Sequence, residues 1–350
     1  MTNSQNKKIW LLRISKILRR FVFAFDVIIL CIAIALGFTY GILYALGSNS
    51  FTGNNSIVLP VVSGDNDIDE LGNVEYDGKK YKINRDVVSM LVMGVDKENI
   101  NNTDKDYGAN GQADAIFLIN YDLKKNIINV INISRDSITD VEVYSQSGAY
   151  AWTEKTQICL SFAYGDGKEK SCENVVKSVS RMFYGINIDN YYAIDTSSVG
   201  KITNAVGGIT VPEYTKYGEK PTGKKVTLWG DDALQYVRMR NGNILDSNIS
   251  RMERQKIFLS ALFEKVMKKS LSDIEVPIKL FNILSKSSYT TLNASKITYL
   301  TSQILSSESK INFLSVKGQV VEGDDGYAEY IVDQDALYEL IIDCYYTEIE

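Results

Sequence analysis

The sequence predicts an α/β protein: one N-terminal transmembrane helix, then an exported domain in which short strands and amphipathic helices interleave. Three observations support that reading. Val27 to Gly47 is a run of 21 consecutive uncharged, mostly apolar residues, long enough to cross a bilayer as a helix. Beyond it come apolar segments of strand length, rich in β-branched residues. Later segments repeat apolar residues every three or four positions, the period of a helix with one buried face.

Residues 1–20 are a basic tail carrying Lys7, Lys8, Arg13, Lys16, Arg19 and Arg20 and no acid. Positive charge on the N-terminal flank keeps that end in the cytoplasm and sends the rest across the membrane. The anchor is placed at residues 21–47, with Asp26 at the headgroups. A cleaved signal peptide is the rival, although its apolar core would be shorter. Residues 48–74, rich in Ser, Gly, Asn and Asp, read as a linker. Residues 75–350 read as one α/β domain.

Within that domain NVEYDGKKYKIN alternates around Asp77-Gly78, a hairpin signal. SMLVMGV ending at Val95, AIFLIN from Ala115 and NIINVINIS ending at Ser134 are short, apolar and bounded by polar loops, as buried strands are. Glu173 to Gly185, Arg254 to Lys268 and Ser295 to Leu305 read as helices, the first stopped by its glycine. Asp333 is the expected cap of a closing helix, DQDALYELIIDCYY.

Composition narrows the chemistry. The chain has no histidine, which removes Ser-His-Asp and Cys-His nucleophiles and histidine-rich zinc sites. Without the six basic residues of the tail and Asp26, 32 basic residues face 42 acidic ones, a formal charge of −10. A nucleic-acid binder would carry a broad basic surface instead. Three cysteines, Cys159, Cys172 and Cys344, follow the span. A Cys159–Cys172 disulfide and buried free thiols are both open from sequence.

Against this acidic background, Arg238, Arg240, Arg251 and Arg254 crowd the 22 residues from Leu234 to Gln255, a stretch without lysine in a chain of 28 lysines and 10 arginines. Guanidinium forks match carboxylate or phosphate oxygens two at a time. Arg238 and Arg240, two apart, share one side if the segment is extended, and Arg251 and Gln255, four apart, share a helix face. The bland alternative is an ion-pair network of Arg240 and Arg251 with Asp246 and Glu253. Asp96 and Asp114 are expected at strand ends, where a hard divalent ion such as Mg²⁺ could be held between carboxylates and phosphate. The alternative is that Asp96 caps a loop and Asp114 starts a strand. VEGDDGYAEY near the C-terminus, with Glu322, Asp324 and Asp325 around a glycine turn, reads as a solvated loop.

Eight motifs occur in order: MGVD (93–96), GQAD (111–114), NISRDS (132–137), FAYGDG (162–167), INIDNYYAID (186–195), VGGITV (206–211), DALQYVRMR (232–240) and RMERQ (251–255). By these the chain resembles the LytR-CpsA-Psr proteins, membrane-anchored enzymes of bacterial cell-wall assembly. The resemblance implies an α-β-α domain with a central mixed sheet, lying outside the bacterial cytoplasmic membrane. It implies a phosphotransferase that takes a glycopolymer from a polyprenyl-pyrophosphate carrier and joins it to peptidoglycan. Asp96 and Asp114 would hold Mg²⁺. Arg135, Arg238, Arg240, Arg251 and Gln255 would grip the pyrophosphate, with Asp96, Asp114, Arg135 and Arg238 as the catalytic set, and the polyprenyl tail would lie in an apolar tunnel. The chain departs from the family pattern at Gln112, which replaces an arginine, at Gln157-Ile158-Cys159, which replaces KIN, and at Ser134, which replaces a proline. A non-catalytic polyprenyl-phosphate-binding scaffold and a polyprenyl pyrophosphate hydrolase are the alternative readings.

Overall fold

A computed structural model describes residues 33–51 and 73–349, apart from 103–107, 146, 217, 271, 274 and 307–308. The basic tail, the first part of the expected span and residues 52–72 of the expected linker lie outside the described residues. No described helix is long and apolar enough to cross a membrane.

The elements begin with α1 (33–51) and the hairpin β1 (Val74–Tyr76) and β2 (Lys79–Ile83). Three long strands follow, β3 (Val87–Val95), β4 (Ala113–Asp122) and β5 (Ile127–Ile133), then a second hairpin, β6 (Ile138–Tyr144) and β7 (Tyr150–Gln157). Next come the short α2 (Leu160–Ala163), α3 (Glu169–Met182), β8 (Asn190–Asp195), α4 (Ser198–Ala205) and a third hairpin, β9 (Ile209–Tyr214) and β10 (Pro221–Leu228). Helices α5 (Gly230–Arg238), α6 (Ser247–Ser270) and α7 (Glu275–Lys286) precede β11 (Ser288–Thr290), α8 (Ala294–Ser306) and β12 (Lys310–Ser315). A last hairpin, β13 (Gly318–Glu322) and β14 (Ala328–Val332), leads to α9 (Gln334–Tyr345) and β15 (Tyr346–Ile349).

Contacts divide the chain into two units, residues 1–54 with 293–306, and residues 55–292 with 307–350. In the first, α1 packs on α8. Tyr44 and Phe51 meet the Tyr299 ring at centroid distances of 5.3 and 5.8 Å. Gly47 makes the close approach: a Cβ there would lie 2.2 Å from the Ser295 carbonyl oxygen.

The second unit is built on a six-stranded mixed sheet in the order β11-β8-β3-β4-β5-β12. β3 runs parallel to β8 and β5 to β12, while β4 is antiparallel to both of its neighbours. Alternation along these strands sets their two faces. Leu91, Met93, Val95, Ile116, Leu118 and Ile131 are fully buried in one core with α3 and α9, each side chain contributing about 1.5–3 kcal/mol. Val92 and Gly94, the alternate residues of β3, are only partly buried. A second core joins α4, α5, α6, α7, β9 and β10.

The expected hairpin turn forms at Asp77-Gly78, both with positive φ, and Asp333 caps α9 by accepting from Ala336 N. α3 begins at Glu169, one turn before the sequence reading, and stops where Tyr184 and Gly185 adopt positive φ. α6 begins at Ser247 rather than Arg254. The segment bearing Arg238 is helical, not extended: Arg238 closes α5 and the chain extends only at Met239.

Glu142 of β6 ties that hairpin to α3 by accepting from Lys177 at 3.0 Å, from Arg181 and from the Tyr144 hydroxyl. Burial opposes its charge, but Tyr144, Lys177 and Arg181 outweigh it and hold the carboxyl down to about 2. A depressed pKa stabilises the fold above the unfolded value and loses that contribution as pH falls toward 2. Both cationic partners are substantially exposed, so the gain is about 1 kcal/mol. Glu142→Gln is expected to lower Tm by roughly 2–4 °C at pH 7. The difference from the unaltered protein should vanish below about pH 2, measured by calorimetry across pH.

Candidate functional site

Register brings the predicted residues to one edge of the sheet. Val95, the last residue of β3, pairs with Ala113 at the start of β4 and with Asp195 at the end of β8. Ile133, ending β5, pairs with Ile116. Asp96, Asp114, Arg135 and Asp195 therefore leave the sheet on the same side, where the parallel strands end and loops build sites. The Asp96 N–H donates to the Gln112 carbonyl at 3.0 Å and locks the two carboxylate-bearing segments together.

The side chains interlock further. Arg135 is ion-paired with Asp114, donates to the Gln112 side chain, and lies 3.3 Å from Asp136 and 3.1 Å from the Cys159 sulfur. Arg251, buried on the first turns of α6, reaches Asp114 at 3.7 Å, and its Nε and Nη2 donate to Asn248 Oδ1 at 3.1 and 2.7 Å. Arg238 donates to Asp96 at 2.7 Å. Gln255 donates to the Val237 carbonyl at 3.2 Å, fixing the end of α5 against α6. Arg240 is exposed and close enough to influence the titration of Asp136 and Arg251. Arg251 thus pairs with Asp114 rather than within a network of Asp246 and Glu253.

The thiols of Cys159, Cys172 and Cys344 are free and buried, so no Cys159–Cys172 bond exists. Cys172 packs in the sheet–α3 core, whereas Cys159 turns toward Arg135. Burial pushes the Cys159 thiol up to about 11, against the pull of Arg135.

Burial also depresses Arg251, to about 10; Arg135 and Arg240 add to the fall and Asp114 opposes it. Asp136 is raised by burial despite Arg135, Arg251 and Arg240. Arg135 is the contrary case: burial lowers it, but Cys159, Asp114 and Asp136 together hold it above the usual value. A buried cation whose charge burial disfavours gains from one more anion.

Of these groups, Asp114, Arg238, Arg251 and Gln255 reach a pocket of about 300 Å³ between the partly buried sheet face and α4, α5 and α6. Asp114, Asp195, Arg238, Arg251 and Gln255 line it together with Val92, Phe117, Ile202, Phe258, Leu259 and Leu262. One cavity therefore joins a charged mouth to an apolar interior. It is large enough for part of a small amphipathic ligand.

Two residues matter here that the sequence reading did not place in the site. Asp195 is buried and saturated, accepting from Ile100 N, Ser197 Oγ, Ser198 N and Ser198 Oγ, so it anchors the loop after β3 to the start of α4. Its position after an apolar strand was the available signal. Arg254, the last of the four clustered arginines, faces away from the pocket and is fully buried. It donates to four backbone carbonyls, those of Tyr236 at 3.0 Å, Ser250 at 3.1 Å, Gly218 and Met239. The Tyr214 ring lies 5.5 Å from its guanidinium carbon. No feature of the sequence separates it from Arg251, three residues earlier.

The fold and this edge define an α/β domain with an arginine–carboxylate mouth over an apolar pocket. The chain belongs to the LytR_cpsA_psr family, whose model matches residues 61–342. It is 26% identical over 224 residues to Biofilm regulatory protein A of Streptococcus mutans, a match covering 60% of this chain and 51% of that protein. To the polyisoprenyl-teichoic acid–peptidoglycan teichoic acid transferase TagU of Bacillus subtilis it is 24% identical over 266 residues, 75% and 78% of the two chains. The chain spans about half the length of the first curated relatives it matches. The crystal structure of B. subtilis TagV shares its fold with a TM-score of 0.55 at 23% identity, over 75% of this chain and 98% of that one.

Proposed function

We propose that the protein transfers a glycopolymer from a polyprenyl-pyrophosphate carrier to peptidoglycan, working at the outer face of the bacterial cytoplasmic membrane from an anchor at residues 21–47. The observation that carries this reading is the single pocket with a guanidinium-lined mouth and an apolar interior. A lipid pyrophosphate has the same division, and the B. subtilis TagU relative is a transferase named for polyisoprenyl-teichoic acid and peptidoglycan.

Arg135, Arg238, Arg240 and Arg251 would bind the phosphate oxygens, and Gln255 would orient the turn that carries Arg238. Phosphoryl transfer needs positioning and charge neutralisation more than a covalent nucleophile, which suits a chain without histidine. Asp96, just past the end of β3, and Asp114, near the start of β4, are hard oxygen donors of the kind that Mg²⁺ uses with phosphate and water. The chemistry of these two donors suits that ion, with phosphate and water to complete its shell, and when bound it would neutralise phosphate charge. Each carboxylate now engages an arginine, so occupancy of Asp96 and Asp114 by a cation would free Arg135 and Arg238 for the phosphates.

One observation favours a non-catalytic scaffold. Gln112 and Gln157 stand where the family pattern has cations, and both are engaged within the protein, Gln112 with Arg135 and Gln157 with the Ala328 carbonyl. The deciding experiment uses the full chain in micelles with a polyprenyl-pyrophosphate-linked saccharide and a peptidoglycan oligomer, with and without Mg²⁺, scored by mass spectrometry. Joined, metal-dependent product is expected. Tight donor binding without product, using cognate donor and competent acceptor, would make the protein a scaffold. Carrier cleavage without acceptor would make it a hydrolase.

A further inference from the structure

Helix α6 separates two cavities of opposite character. Arg251, Gln255 and Phe258 face the arginine pocket, while Ile249, Ser250 and Glu253 face a larger groove of about 640 Å³. Glu219, Asp246 and Glu253 supply carboxylates to that groove, and none of its described lining residues is a lysine or arginine. Phosphate is therefore repelled from it.

The groove borders the arginine cluster on two sides. The loop from α5 to α6 carries Arg240 and then Ile244 and Asp246 of the groove wall. At the far wall, Tyr330 donates its N–H to the Asp136 carbonyl at 2.8 Å, next to Arg135. An occupant would lie alongside the phosphate-binding edge without sharing its charge.

We propose that this groove binds the acceptor as an uncharged, hydroxyl-rich glycan, an inference that rests on the transferase reading. A sugar ring offers apolar C–H faces and a rim of hydroxyl donors. Tyr214, Pro221, Ile244 and Ile249 provide apolar surface for the faces. Asp246 and Glu253 provide charge-assisted acceptors for the hydroxyls. A transferase needs its second substrate beside the donor, and this groove lies there with a charge of the opposite sign to the arginine edge.

The test uses the full chain in micelles with three probes, namely chitotetraose, tetralysine and inorganic pyrophosphate, read by saturation-transfer NMR and titration. Chitotetraose is expected to bind the unaltered protein. The double variant Asp246→Ala with Glu253→Ala should weaken it by about fivefold or more, as lost charge-assisted hydrogen bonds would, and leave pyrophosphate affinity within twofold. Arg238→Ala should do the reverse. No chitotetraose binding, binding indifferent to the double variant, or a preference for tetralysine would overturn the glycan assignment. Pyrophosphate that fails to bind would instead strike the donor site, while the chitotetraose arm still reports on the groove.

Discussion

Replacing Asp114 with alanine is expected to reduce metal-dependent transfer by about a thousandfold, a loss of several kcal/mol of transition-state charge stabilisation. The same change should strengthen binding of pyrophosphate in the absence of metal by several-fold. The sign follows from the pairing. Asp114 engages Arg135 and stands 3.7 Å from Arg251, so without metal it competes with phosphate for both guanidinium groups. Removing it frees those donors while removing an oxygen ligand on which a cation would depend. Titration with pyrophosphate, with and without Mg²⁺, beside a transfer assay reads both effects. A purely structural Asp114 would give a lowered Tm and weaker pyrophosphate binding under both conditions, and that outcome would sink the proposed role.

The central sheet was legible because its strands are dense in β-branched residues and end at polar loops; Val87–Val95 and Ala113–Asp122 enclose the apolar runs visible in the sequence, and Ile127–Ile133 fills all but the two ends of the third. The convergence of Asp96, Asp114 and Arg135 on one edge was anticipated through the motifs, but their partners were not. Arg251 and Asp114 lie far apart in sequence, and only the register of β4 and the placement of α6 over the sheet join them. Local spacing misled at Arg238, where a helix that buries Ala233, Tyr236 and Val237 overrides the extended reading. The late arginines also divide in a way spacing cannot reveal. Arg238, Arg240 and Arg251 belong to the charged edge, whereas Arg254 belongs to the backbone that carries them. Burial in a particular loop packing decides that, and burial is a tertiary property.

Arg254→Ala is expected to lower stability by on the order of 4 kcal/mol, because three backbone carbonyls of the α5–α6 region and one of the β9–β10 turn lose a buried donor. For a domain of this size the corresponding fall in Tm is roughly 10 °C. The Tyr236 and Met239 carbonyls lie at the end of α5, on either side of Arg238. Loosening them therefore also displaces Arg238 and Arg240, and pyrophosphate affinity should fall although Arg254 does not line the pocket. Arg254→Lys keeps the charge but not the planar fork, so it should recover only part of the loss. Gly218→Ala attacks the same clasp from the other side. Gly218 has φ +71°, and a Cβ there would sit 2.4 Å from the Arg254 guanidinium carbon. If Arg254 acts by positioning Arg238, combining Arg254→Lys with Arg238→Lys should cost less pyrophosphate affinity than the two single losses added together. Additive losses, or a Tm for Arg254→Ala within 2 °C of the unaltered protein, would mean that the clasp neither holds the loop nor sets the site.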